Sequence, residues 1–197
     1  MRLFVGVRVS MAAVDAIADL ARSLREAAPE LPLRWVPPAN YHVTLKFLGE
    51  VRPEAVEAVR DAVGAGLRDE AALRFATRGV GAFPALERAR VLWVGVDDPG
   101  HRLAALAAAV EAAVTPLGFP RERRAFHPHV TIARVRGVAD VRAAVIGFTE
   151  QPCSETAADR VTLFESRIKP GGSEYVVRAE WPLRQTGPVQ PESGQPS

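Results

Sequence analysis

The sequence predicts an α+β chain built from two duplicated lobes. Strand and helix patterns run strand-helix-strand-helix-strand over approximately residues 2–81, and the same order recurs over approximately 90–168. Matching elements are offset by roughly 85 to 88 residues, and a period that long marks a duplicated lobe rather than a solenoid. The chain has only four histidines, and two of them head the same tetrapeptide: His-Val-Thr-Leu at His42–Leu45 and His-Val-Thr-Ile at His129–Ile132.

The elements follow from local pattern. "RLFVGVRVS" is short, β-branched and aromatic, which predicts a buried strand. Ser10 then serves as N-cap for a helix whose apolar stripe is Val14, Ile17, Ala21 and Leu24. A proline-rich connection, "LPLRWVPPAN", leads to the strand "YHVTLKFLG". Pro53 opens a second helix, with Val56, Val59, Val63 and Leu67 on its inner face. "ALRFATRGVGAF" is a third strand. In the second copy "RVLWVGVDD" is a strand, and Leu103, Leu106, Val110, Val114 and Leu117 stripe a helix that Gly118 stops. "HVTIARV" is a strand, residues 140–148 a short helix, and "RVTLFESRI" a strand. The turn "KPGGS" joins it to a final strand, "EYVVRAEW". One two-lobed domain over 1–184 is expected. Residues 185–197 are polar, proline-rich and aperiodic, which predicts a disordered tail.

Composition narrows the function classes. Lysine plus arginine total 25 against 23 acidic residues, a net charge of +2, so no broad cationic face for duplex DNA is expected. Any anion must be held by a local cluster, such as the basic run "RERRAF" at 121–126. The single cysteine, Cys153, permits no internal disulfide and reads as an incidental thiol in a loop, "EQPCSET". "MRLFVGVRVS" lacks the long apolar core of a signal peptide, and no run of about 18 apolar residues exists to span a membrane. A cytoplasmic monomer is the expectation.

The two His-x-Thr strands carry the chemistry. Side chains on a strand alternate faces, so His42, Thr44 and Lys46 share one face, as do His129 and Thr131. If the lobes are related by an approximate twofold axis, the two pairs face each other across a groove. One neutral imidazole can then take a proton from water while an imidazolium gives one to a leaving oxygen. Threonine hydroxyls can donate to phosphate oxygens, and Arg134 or Lys46 can offset developing charge. Strict alternation places Arg134 opposite His129, so it needs a bulge or a strand end to reach the site. A zinc site would need three protein ligands, and no third ligand is spaced near His127 and His129. His127 either orients substrate or packs beside the site. Trp35, Tyr41 and Phe126 lie near the motifs and are candidates to stack on a base. His101 reads as exposed.

Beyond these motifs, "MRLFVGV", "WVPPANYHVTLKFLGEV", "GAFPALERARVLWVGV", "FHPHVTIAR" and "LFESRIKPGGSEYVV" carry a resemblance that runs nearly end to end. The chain resembles the RNA 2',3'-cyclic phosphodiesterases, first named 2'-5' RNA ligases (LigT- or ThpR-like), of the two-histidine phosphoesterases. The resemblance implies two antiparallel sheets with flanking helices around a pseudo-twofold groove. It implies hydrolysis of RNA 2',3'-cyclic phosphate ends to 2'-phosphomonoesters, without metal or other cofactor. His42 would be the proton donor and His129 the proton acceptor, with Thr44, Thr131 and Arg134 on the phosphate. Apart from the resemblance, Lys46, His127, Phe126 and Tyr41 are candidate substrate contacts from their placement in or beside the two motifs. Relatives also join tRNA halves through a 2'-5' linkage, with a 5'-hydroxyl in place of water. Two other readings stand beside this one: the same chemistry on a small cyclic or 2'-5'-linked nucleotide, and a noncatalytic RNA- or nucleotide-binding module. The second would fit a chain in which one motif had lost its His or Thr, and both are intact here.

Overall fold

The computed structural model describes residues 1–170 and 172–185. The expected tail, apart from Gln185, lies outside the described residues. In chain order the elements are β1 (Arg2–Arg8), α1 (Met11–Ala27), β2 (Leu33–Trp35), β3 (His42–Glu50), α2 (Val56–Gly66), β4 (Leu73–Phe83), β5 (Ala89–Asp97), α3 (Arg102–Val114), β6 (His129–Ala139), α4 (Arg142–Val145), β7 (Pro152–Ala158), β8 (Arg160–Lys169) and β9 (Gly172–Pro182). Local signals set the ends. The Ser10 hydroxyl accepts the Ala13 N–H at 3.2 Å and starts α1. Pro53 opens a 3-10 turn that runs into α2. Gly118 takes the left-handed conformation just past α3.

The strands form one antiparallel path, β7-β4-β5-β6-β3-β1-β8-β9, with β2 on β6. It consists of two four-stranded halves that meet at a single pair, Val43 with Val130. Each half of the chain therefore lends its third strand to the other lobe. β4 pairs with β5 and β7, while β8 pairs with β1 and β9. The helices cross in the same way: α1 packs on β7, and α3 packs on β3 beside α2. The core lies between helices and sheet. Ile17, Leu20 and Leu24 of α1 and Leu103, Leu106 and Val110 of α3 are almost wholly buried there. Burying each such side chain contributes about 1.5–3 kcal/mol before entropy is counted. The opposite, concave face of the sheet is left to polar and aromatic side chains. No helix among the described residues is long and apolar enough to cross a membrane.

Two short strands depart from the sequence expectation. The segment around Cys153, expected as a loop, is the edge strand β7, and the proline-flanked connection contains β2.

Candidate active site

The junction of the two sheet halves builds the site. Val43 and Val130 pair in antiparallel register, so one step to either side His42 falls opposite Thr131 and Thr44 opposite His129. The local twofold axis thus passes between the two valines. All four polar side chains point to the concave face, because both valines are buried in the other direction. Diagonal neighbours of this kind lie about 7–8 Å apart, a span that one phosphate group can bridge.

Each imidazole is held in the same manner. His42 Nδ1 lies 2.7 Å from the Asn40 carbonyl, and His129 Nδ1 lies 2.7 Å from the His127 carbonyl. A carbonyl can only accept, so each ring carries its proton on Nδ1 and presents Nε2 to the groove. Thr44 Oγ1 is 2.9 Å from His42 Nε2. Aromatic rings wall both histidines. Phe4, Phe164 and Tyr175 surround His42 at 4.8, 5.8 and 5.3 Å between centroids. Phe83 lies edge-on to His129 at 5.0 Å, and Trp93 at 6.3 Å. Gly6 makes room for the His42 ring. A Cβ there would come 2.8 Å from the Val43 carbonyl oxygen and 3.2 Å from His42 Cδ2.

This enclosure disfavours charge on both rings. Burial pulls the His42 pKa down to about 4, with smaller downward pushes from His129, Arg8 and Arg134; the Asn40 carbonyl opposes them. Burial also lowers His129, with His127 and Arg134 adding to the effect and the His127 carbonyl opposing it. Both imidazoles are therefore neutral near pH 7 in the free protein.

Two β-bulges decide which further residues face the groove. On β6, Trp93 pairs with Thr131 but Leu92 pairs with Ala133, so Ile132 is an extra residue. Ile132 and Ala133 are both buried, and Arg134 returns to the face of His129 and Thr131. The bulge that Arg134 required is present. On β3, Gly6 pairs with Thr44 but Val5 pairs with Lys46, so Leu45 is the extra residue. This moves Lys46 to the helix side, contrary to the alternation read from the sequence. Lys46 is 3% exposed, and its ammonium donates to Glu111 Oε1 at 3.0 Å and the Pro120 carbonyl at 2.7 Å. Its ammonium is committed to these buried partners and faces away from the groove. Phe47 takes its place in the groove, 56% exposed and close to Phe4, at the position that matches Arg134 across the axis.

The remaining sequence candidates separate. His127 is exposed beside His129, with its ring 6.4 Å from that imidazole and 5.0 Å from Trp93. Phe126 packs against the core instead of standing open in the groove. Tyr41 is 5% exposed and borders a different cavity, against α1, so it lies apart from the groove of the two His-Thr pairs. Besides Phe47, three groove residues were not anticipated: Arg8, Arg34 and Tyr175. Arg8 stands over the Phe164 ring at 5.2 Å, and Arg34 and Tyr175 border the groove. Arg8 could have been found by period two, since Phe4, Gly6 and Arg8 share a face of β1. Arg34 and Tyr175 arrive through long-range pairing that has no local signal.

The profile described as "LigT like Phosphoesterase" matches the chain twice in tandem, over residues 7–93 and 94–175. The chain belongs to the LigT-like phosphoesterase family. The boundary between the two matches lies in β5, close to the start of the second copy read from the sequence. The RNA 2',3'-cyclic phosphodiesterase of Thermus thermophilus is 34% identical over 191 residues, covering 93% of this chain and 91% of that protein. The Aquifex aeolicus protein of the same name is 28% identical over 93% of this chain and 97% of its own length. The Aeropyrum pernix protein of that name is 39% identical over 115 residues, which is 58% of this chain and 64% of that protein. Among solved structures, TT0787 of Thermus thermophilus superposes with a TM-score of 0.78 at 28% identity, covering 95% of this chain and all of that one. Escherichia coli LigT complexed with 3'-AMP gives 0.74 at 25% identity, over 92% of this chain and 97% of that one.

Proposed function

We propose that this protein hydrolyses 2',3'-cyclic phosphate ends of RNA to 2'-phosphomonoesters, using its two imidazoles and no metal. One observation carries the reading: two imidazoles and two threonines lie on one face of the sheet, related by a local twofold axis through the Val43–Val130 pair. The family supports phosphoester chemistry, and relatives bear the name RNA 2',3'-cyclic phosphodiesterase. Among the described residues no three His, Cys, Asp or Glu side chains cluster to hold a metal ion.

The steps follow from the geometry. Thr44 and Thr131 donate hydrogen bonds to the non-bridging oxygens, and Arg134 offsets the charge that builds on them. His129 takes a proton from water as the water oxygen attacks phosphorus. The bond from phosphorus to O3' breaks, and His42 gives its proton to O3'. The donor role is given to His42 by the resemblance to the family, and the near-twofold arrangement itself would serve either assignment. The open part of the groove beside His42 is bordered by Phe47 and Tyr175, which offer aromatic surface to a nucleoside, whereas His129 is walled by Phe83 of its own sheet half. His42 must be protonated to act. Burial is the main cause of the low His42 pKa and nearby cations add to it; an anionic phosphate entering between Arg8, Arg134 and the two rings offsets those cations and favours the imidazolium, so the proton enters with the substrate. With a 5'-hydroxyl in place of water, the same arrangement forms a 2'-5' linkage.

The test is a short RNA ending in a 2',3'-cyclic phosphate, incubated with EDTA, with the product isomer identified. A 2'-phosphate is expected, with at least about a hundredfold loss for His42→Ala or His129→Ala, the scale of one proton-transfer contribution. Full activity in either variant, a 3'-phosphate product, or activity abolished by EDTA would reject the proposal.

A further inference from the structure

A second cavity stands outside the groove. It has a volume of about 390 Å³ and is bordered by Arg22, Arg25, Trp35, Val36, Pro37 and Tyr41. It lies between α1 and the segment that carries β2 into β3. Trp35, Val36 and Pro37 also border the catalytic groove, so a strap one chain thick separates the two spaces.

The lining has the chemistry of nucleotide recognition. The Arg25 guanidinium lies 5.4 Å from the centre of the Trp35 ring, in cation-π contact. A guanidinium held over an aromatic ring can also take a planar base against it. Among the described residues Arg25 has no salt-bridge partner, so its charge is available. Arg22, one turn earlier, shares its charge with Asp19 and can turn to an outer phosphate. The Tyr41 phenol, pushed up to about 12 by burial against a smaller opposing effect of Arg25, stays protonated and serves as a donor. The volume falls in the range of small-molecule sites.

We propose that this cavity is a second nucleotide subsite, holding the nucleotide one step upstream of the RNA end that reacts in the groove. The upstream base stacks on the Arg25 guanidinium, the Tyr41 hydroxyl donates to it, and the chain crosses the strap formed by Trp35, Val36 and Pro37. This inference rests on the proposed RNA-end activity.

The experiment compares kcat/KM on a 2',3'-cyclic mononucleotide with that on a trinucleotide ending in the same cyclic phosphate. Stacking of one base predicts about a tenfold or greater advantage for the trinucleotide. Arg25→Glu and Tyr41→Phe should shrink that advantage severalfold while mononucleotide turnover stays unchanged, which also shows that the variants fold. Arg25→Lys keeps the charge but not the plane, and it too should lose most of the advantage. A trinucleotide advantage that persists in all three variants, or none in the parent protein, overturns the subsite. Absence of turnover on the mononucleotide as well as the trinucleotide would instead overturn the proposed activity.

Discussion

Lys46→Met separates a structural cation from a catalytic one. The Lys46 ammonium is buried and donates to Glu111 at 3.0 Å, to the Pro120 carbonyl at 2.7 Å and to Glu122 at 3.4 Å. It ties the loop after α3 to β3, and Glu111 also accepts the Glu122 N–H at 2.6 Å. That N–H first, and Lys46 second, hold the Glu111 carboxyl below the usual carboxylate range. Methionine keeps the buried stem and deletes the charge. Removing one partner from a fully buried pair costs about 3–5 kcal/mol. Here the Glu111 side chain is 26% exposed and that of Glu122 is 59% exposed, so water takes over part of the lost interaction. A loss of about 2 kcal/mol is therefore expected. For a chain of this length that lowers Tm by about 4–8 °C. Urea or thermal unfolding measures the loss, and kcat/KM on a 2',3'-cyclic mononucleotide at about 25 °C measures the site. The expected outcome is a less stable protein with kcat/KM within about twofold, well short of the effect of one proton-transfer group. A large fall in kcat/KM at unchanged stability would refute the bulge at Leu45 and return Lys46 to the groove.

Two further predictions concern pH. The folded-state pKa of His42 is about 4, below the unfolded value of 6.5, so the unfolded chain binds more protons between those two values. Stability from this residue is full above pH 6.5 and is lost as pH falls toward 4, by on the order of 3 kcal/mol; urea titrations of the parent and His42→Ala should diverge over that window, and parallel curves would count against the buried neutral ring. The proposed mechanism needs one protonated imidazole, and both rings titrate below their ordinary range in the free protein. The alkaline limb of kcat/KM should therefore fall below pH 6.5, while that of kcat lies higher because bound phosphate favours the imidazolium. Coincident limbs would contradict proton uptake with substrate.

Much of the fold was legible because its signals are local. Ser10 at an N-cap, Pro53 at a helix start and the stripes of α1, α2 and α3 are set by neighbours within a turn or two. β2 was obscured by flanking prolines and by its length of three residues. β7 reads as polar because it is an edge strand with one paired neighbour, so little of it is buried. The exchange of β4 and β8 between lobes has no local signature at all. In the site, His42, Thr44, His129 and Thr131 could be read from alternation because they precede the bulges. Beyond Leu45 and Ile132 the alternation inverts, which withdrew Lys46 and delivered Arg134 and Phe47. Tyr41 adjoins His42 in sequence, yet strand geometry turns it to the other side of the sheet.

The strand exchange makes the two repeats interlocked rather than merely adjacent. A chain cut between β4 and β5 would yield two fragments, each carrying a strand that belongs in the sheet of the other. Neither fragment could close its own sheet, and neither alone would hold both His42 and His129. Those two rings therefore come together only when both fragments have embraced, so the candidate site depends on both repeats being joined.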